Sequence, residues 1–209
     1  MLAESHVYTD EQDFEMKCNR SIVHNLISNY PLRFVRFVYC LGYGEDDLLT
    51  RARTDRRNVG TSDFWKVFSS CVAENEDDLG FDKILKTRTR SFTVRLHNKV
   101  NVLQEMREKG IWLLDASIIG LYGSDLKAYP DLCDTIVRIS WDNHLARIIE
   151  NAQPSHVIVI GKGVEKALRL RLQKLKISRT VIDAPQAHLI SEEQLENYKK
   201  YQRICAKYH

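Results

Sequence analysis

PSHVIVIGKG, residues 154–163, is the stretch on which the fold class turns. His156 is followed by four consecutive β-branched apolar residues, Val157 to Ile160, a length and composition that suit a strand. The run is continuous rather than alternating, as in a strand covered on both faces, the usual state of a parallel sheet. Pro154 stops the helical pattern before it, and Gly161-Lys162-Gly163 turns the chain into a helix ending near Leu175. Further on, residues 180–182 (TVI) read as a short strand leading into Asp183-Ala184-Pro185-Gln186-Ala187-His188-Leu189. Ser191 and Gln194 form a capping-box pattern for a last helix over 192–207. Toward the N-terminus, 134–152 reads as a long helix, 111–114 (IWLL) as a strand ending in Asp115-Ala116-Ser117, and 98–109 as a helix closed by Gly110. Ser62 or Asp63 caps a helix whose apolar positions are Phe64, Trp65, Val67, Phe68, Cys71 and Val72. Residues 34–41 (FVRFVYCL) read as another strand, stopping at Gly42-Tyr43-Gly44, and 19–29 as a helix ended by Pro31. Residues 75–95 give no clear element.

Four strands separated by helices predict an α/β protein of three layers, α/β/α, around a central four-stranded parallel sheet. At 209 residues the chain suits one domain over 1–209, with 1–18 as a flexible or peripheral segment. In such sheets ligands bind beyond the carboxyl ends of the strands. The loops of interest are therefore 42–63, 115–130, 161–164 and 183–191.

Composition narrows the function classes. Hydrophobic residues are 44% and charged residues 28% of the chain, an ordinary globular balance that excludes low-complexity readings. No apolar run reaches the ~18 residues of a membrane span, and the polar, acidic N-terminus is unlike a signal peptide. A cytoplasmic location is expected, or the nucleoid or nucleus. The five cysteines, Cys18, Cys40, Cys71, Cys133 and Cys205, are scattered and lack a CxxC, so neither a disulfide framework nor a metal or iron–sulfur site is expected. Net charge is only +3, but cations cluster at Arg51, Arg53, Arg56 and Arg57, at Arg88, Arg90 and Arg95, and at Lys166, Arg169, Arg171, Lys174, Lys176 and Arg179. Such clusters suit a phosphate backbone, and equally a solvated helix face.

Gly42-Tyr43-Gly44-Glu45-Asp46-Asp47 combines two glycines, which allow close backbone approach, with three acids, any of which can orient water as a general base. A tight turn with solvated acids accounts for the same pattern. GxGxxG and the Walker loop do not occur. Gly161-Lys162-Gly163 suits one phosphate at a helix N-terminus, or a plain strand-to-helix junction. Asp115 ends an apolar strand, where it can meet a base edge or simply tie a loop. His188 is either a nucleic-acid contact or merely exposed.

Taken in order, these motifs resemble the uracil-DNA glycosylase superfamily, over roughly residues 34–205. Phe64-Trp65-Lys66-Val67 is similar to the FWK helix start of the mismatch-specific uracil branch, and Pro154 to Lys162 to its proline, apolar strand and GK turn. Gly110-Ile111-Trp112-Leu113-Leu114-Asp115 resembles the strand that ends in a base-reading residue in the hypoxanthine-type branch. The resemblance implies a uracil-DNA glycosylase-like fold and a damaged base flipped from DNA into a strand-end pocket. It implies Gly42, Tyr43, Gly44 and Glu45 as first motif, Ala184, Pro185 and Gln186 as second, and His188 or Leu189 as wedge. This chain departs from the pattern. Gly44 stands at the water-holding position and Glu45 at the proline. Ala184 and Gln186 replace the second motif's usual residues, and no aromatic lies between Glu45 and Asp63.

Two functions are thus expected. The first is a cofactor- and metal-independent, monomeric DNA glycosylase in base excision repair, excising a deaminated base of the uracil or hypoxanthine class. Glu45 or Asp46 would orient water, and Gly42, Tyr43, Gly44, Phe64, Asp115, Pro185 and Gln186 would hold the base. Arg56, Arg57, Lys162, His188 and Leu189 would contact DNA. The alternative is an inactive nucleic-acid or nucleotide binding module on the same fold.

Overall fold

The computed structural model describes residues 1–4, 15–24, 33–35, 41, 44–50, 62–121, 125–185 and 191–208. In chain order its elements are β1 (Leu2–Ala3), β2 (Glu15–Lys17), α1 (Arg20–His24), β3 (Arg33–Val35), α2 (Asp63–Val72), α3 (Phe81–Ile84) and α4 (Phe92–Glu108). There follow β4 (Leu114–Asp115), α5 (Pro130–Ser140), α6 (Ala146–Ala152), β5 (His156–Ile160), α7 (Lys162–Lys174), β6 (Ser178–Ile182) and α8 (Ser191–Tyr208). Short 3-10 turns lie at Asp46–Leu48 and Asp125–Ala128, and one π turn, Trp141–Leu145, joins α5 to α6.

The chain forms two compact units. One comprises Met1–Tyr8, Ile111–Lys200 and Lys207–His209, the other Thr9–Gly110 and Tyr201–Ala206. The first holds an all-parallel four-stranded sheet in the order β4-β1-β5-β6. Leu2, Val157 and Val159 point to one face, where Val137 and Trp141 and, from α7, Val164, Leu168 and Leu172 join them in one buried cluster. Strand side chains alternate, so Ile158 and Ile160 face the other way, as does His156. The ring of His156 stacks on Tyr208 of α8 at 4.3 Å between centroids. Helices therefore cover both faces, consistent with α/β/α layering.

The first strand of the sheet is not the one expected from the sequence. Residues 34–41 were expected to begin the parallel sheet. Instead Arg33–Val35 pairs antiparallel with Glu15–Lys17 in a separate two-stranded sheet, and residues 36–40 lie outside the described residues. The place in the parallel sheet belongs to Leu2–Ala3, from the segment expected to be peripheral. Leu2 is 1% exposed and Ala3 3%. Leu2 pairs with Leu114 on one side and Val159 on the other. A two-residue strand carries no readable period, and the β-forming composition of 34–41 does not encode which sheet it joins.

The other elements follow local chemistry. Ser62 caps α2 by accepting from the Phe64 amide, and Gly110 closes α4 at φ +65. α4 starts at Phe92, capped by Ser91, rather than at 98. The helix expected over 134–152 begins at Pro130, a residue suited to the first turn, and contains the π turn. In the second unit α2, α3 and α4 pack on one another around Trp65, Phe68, Ile84 and Leu96. Residues 201–206 of α8 belong to this unit too. The Gln202 side chain donates to the Ala73 and Glu74 carbonyls at 3.3 Å. Cys71 and Cys205 are buried as thiols, not joined in a disulfide.

Because Leu2 is fully enclosed, Leu2→Ala is expected to lower unfolding free energy by about 2–4 kcal/mol in urea denaturation. A loss under about 0.5 kcal/mol, normal for a surface position, would mean that β1 is not part of the core.

Candidate functional site

The parallel ladder sets side chains level across the first unit. Leu114, Leu2, Val159 and Val181 form one row. One residue further along, Asp115, Ala3, Ile160 and Ile182 form the row at the carboxyl edge. From β1 the chain reaches β4 on one side, then crosses to β5 on the other side and moves outward to β6. The direction of winding thus reverses beside β1, which leaves a crevice beyond the strand ends at that point.

Four strand ends define this edge. The ladder runs on past β1 and β4, with the Ala116 amide donating to the Ala3 carbonyl at 2.6 Å and Ser117 to Glu4 at 3.0 Å. After β5, Gly161 adopts φ +97, a backbone that L side chains rarely take. Its amide donates to the Ile182 carbonyl at 2.7 Å, so β6 holds the turn in place. Lys162 then opens α7, and its exposed ammonium lies 3.0 Å from Asp183 just after β6. Asp115 is half-buried in the last residue of β4, and Pro185 is half-buried beyond Asp183. Asp115, Lys162 and Pro185 of the expected site thus lie at or just beyond the strand ends of one unit. Gln186, His188 and Leu189 lie outside the described residues.

Gly44, Glu45, Asp46 and Phe64 belong to the second unit. Gly42, Tyr43, Arg56 and Arg57 lie outside the described residues. Gly44 takes φ +74, and its carbonyl accepts from Lys86 Nζ at 3.0 Å. Glu45 is 2% exposed. Its Oε1 accepts from Arg95 Nε at 2.7 Å and from Lys99 Nζ at 2.8 Å, and its Oε2 accepts from Arg95 Nη2. Arg95 Nη1 donates on to the Thr89 carbonyl at 2.6 Å. The Lys99 ammonium sits 5.1 Å from the centroid of the buried Trp65 ring, whose π face favours a cation.

Burial by itself raises the pKa of Glu45, but the hydrogen bonds and charges of Arg95 and Lys99 outweigh it and hold the carboxyl below its ordinary value. A general base needs a pKa near the working pH and access to its proton. Glu45 has neither, and its geometry is that of a structural anchor. Asp46, at the start of the 3-10 turn, stays exposed. Phe64 is 7% exposed and packs its ring against Phe68 at 6.4 Å, a core position.

Arg95 and Lys99 are the residues that the sequence reading missed in this role. In the sequence Arg95 groups with Arg88 and Arg90 as a cluster suited to a phosphate backbone or to a solvated helix face. It lies on one helical stripe with Lys99, Val102 and Met106, spaced i, i+4, i+7 and i+11, and that apolar-phase spacing was a readable signal of burial. The third basic cluster is spent largely on carboxylates. Arg171 donates to Asp142 at 2.7 Å, Lys166 lies 3.8 Å from Asp134, and Arg169 and Arg179 flank Glu165 at 3.7 and 3.9 Å. Among the described residues, no group of three or more His, Cys, Asp or Glu side chains is placed to hold a metal ion. No described helix is long and apolar enough to cross a membrane.

Glu45→Gln leaves two buried cations without their anion and is expected to cost about 3–5 kcal/mol of stability. The sign of the pH effect follows from the lowered pKa. The stabilisation is complete above the unfolded carboxyl range near about 4.3, and it is lost as pH falls through the lower folded value. Urea midpoints against pH should therefore decline with acid in the wild type, with this component absent from Glu45→Gln. A wild-type profile no steeper than the variant's would refute the charged triad. No family model, curated protein or solved structure matches this chain.

Proposed function

We propose that this protein is a nucleobase- or nucleotide-binding module on a uracil-DNA glycosylase-like scaffold, taking its ligand at the carboxyl edge of the parallel sheet and leaving the glycosidic bond intact. One observation carries the binding half of this reading: the winding reverses beside β1, with Asp115 and the Lys162–Asp183 pair at the strand ends around it. Asp115 accepts hydrogen bonds from the N–H groups of a base edge, which is the chemistry of a carboxylate at a strand end. Lys162 and the first amides of α7 receive a phosphate, where a point charge and the helix dipole act together. Pro185 forms apolar wall. DNA carrying a deaminated base is the favoured partner, with an intracellular setting to match.

The non-cleaving half rests on Glu45. Its carboxylate is enclosed and bound by two cations. Gly44 offers no side chain in its place.

A second reading, the excising enzyme, is favoured by one fact: Asp46 is an exposed carboxylate beside the sequestered Glu45. In that reading Asp46 orients the water.

The experiment is a binding titration with oligonucleotides bearing uracil, hypoxanthine or the normal bases, and with the free nucleotides, run beside a base-release assay. The expected result is binding without release, weakened at least about tenfold by Asp115→Asn or Lys162→Ala, the loss of one charge-assisted contact. Base release abolished by Asp46→Asn would establish the second reading instead. No binding and no release across the panel would remove both.

A further inference from the structure

We propose that the chain forms a two-fold symmetric homodimer through the outer face of α5, the helix Pro130–Ser140. Leu132 is 44% exposed and Ile139 54%, seven residues apart and hence on one line of the helix. Tyr129, at 63%, precedes the helix as its N-cap residue, and Ile136 lies between Leu132 and Ile139, half-buried. Ile118 and Ile119, 62% and 44% exposed, flank the same helix, because the Ile118 amide donates to Ser140 Oγ at 3.2 Å. Five large apolar side chains thus sit in water around one helix, beyond the scattered single residues normal on a surface.

Charge identifies the occupant. Asp131 and Arg138 are also seven residues apart, so they share one rim of the stripe, acid in the first turn and base in the last. A parallel neighbour of the same sequence would set like charges together. An antiparallel copy, related by a two-fold axis through the middle of α5, sets Leu132 against Ile139 of the second copy. It also sets Asp131 toward Arg138 of the second copy, and the same pairs recur on the other side of the axis. Such an isologous contact is self-complementary and closed. Arg138 Nη2 donates to the Thr135 hydroxyl on the same helix at 3.2 Å, an exposed contact that a partner's carboxylate can replace. This association does not depend on the ligand proposed above, and it replaces the expected monomer.

Sedimentation velocity on the full chain over about 1–200 µM spans the affinities of reversible dimers. The wild type is expected to shift from monomer to dimer with concentration. Ile139→Glu should raise the dissociation constant at least about tenfold, the effect of burying an unpaired charge at an interface centre. Asp131→Arg and Arg138→Asp should each weaken the dimer by juxtaposing like charges, and the double variant should restore it to near the wild-type constant. These rim positions are at the surface, so the charge series decides the matter even if Ile139→Glu does not fold. A wild type that stays monomeric throughout, a dimer indifferent to Ile139→Glu, or a double variant no tighter than the singles would overturn the proposal.

Discussion

The parallel ladder that Leu2 and Ala3 make with β4 and β5 is the contact on which the sheet unit depends. An inner strand must pair on both edges, because buried backbone amides and carbonyls cannot be left without partners. The chain therefore has to bring its first residues and residues 114–115 and 156–160 together before the sheet exists. Between β1 and β4 runs most of the second unit, Thr9–Gly110, where α2, α3 and α4 pack on one another. The sheet is thus closed by contacts of very long sequence separation, the kind that costs the most loop entropy to form. The same closure creates the candidate site, because the placing of β1 between β4 and β5 is what reverses the winding.

The second unit is organised around a different constraint. Glu45, Arg95 and Lys99 are all buried, and a buried charge is tolerated only when it is paired and hydrogen-bonded. One carboxylate answers two cations, Arg95 uses a further donor on the Thr89 carbonyl, and the Trp65 ring takes the remaining positive field of Lys99. An arrangement of this kind fixes the 44–48 turn against α4 more specifically than apolar packing, which has no direction. It also removes the most conspicuous acid of the Gly-rich loop from solvent.

Charge is managed differently on the two kinds of surface. Along α7 the cations lie near carboxylates of α5, of the π turn and of α7 itself, so the field offered to a polyanion there is weaker than the sequence count suggests. α5 differs, leaving Leu132 and Ile139 exposed with Asp131 and Arg138 beside them. The first pattern suits water and the second suits a partner.

The sequence by itself determined the elements that local chemistry writes: β5 and its turn, the Ser62 cap, the Gly110 stop, the last helix, and an α/β class with a four-stranded parallel sheet. Strand-end loops were the expected place for a ligand; Asp115 lies in the last residue of β4, Lys162 opens α7 and Pro185 follows β6. Only the tertiary structure decided which segments enter the sheet. Residues 34–35 have a strand's composition and pair elsewhere, while two short residues near the N-terminus take the inner place, because strand partners are chosen by long-range hydrogen bonding and burial that no local period records. Only the tertiary structure likewise decided the role of Glu45. A glutamate after a glycine reads the same in a loop whether it faces water or two buried cations, and the difference lies in residues fifty positions away.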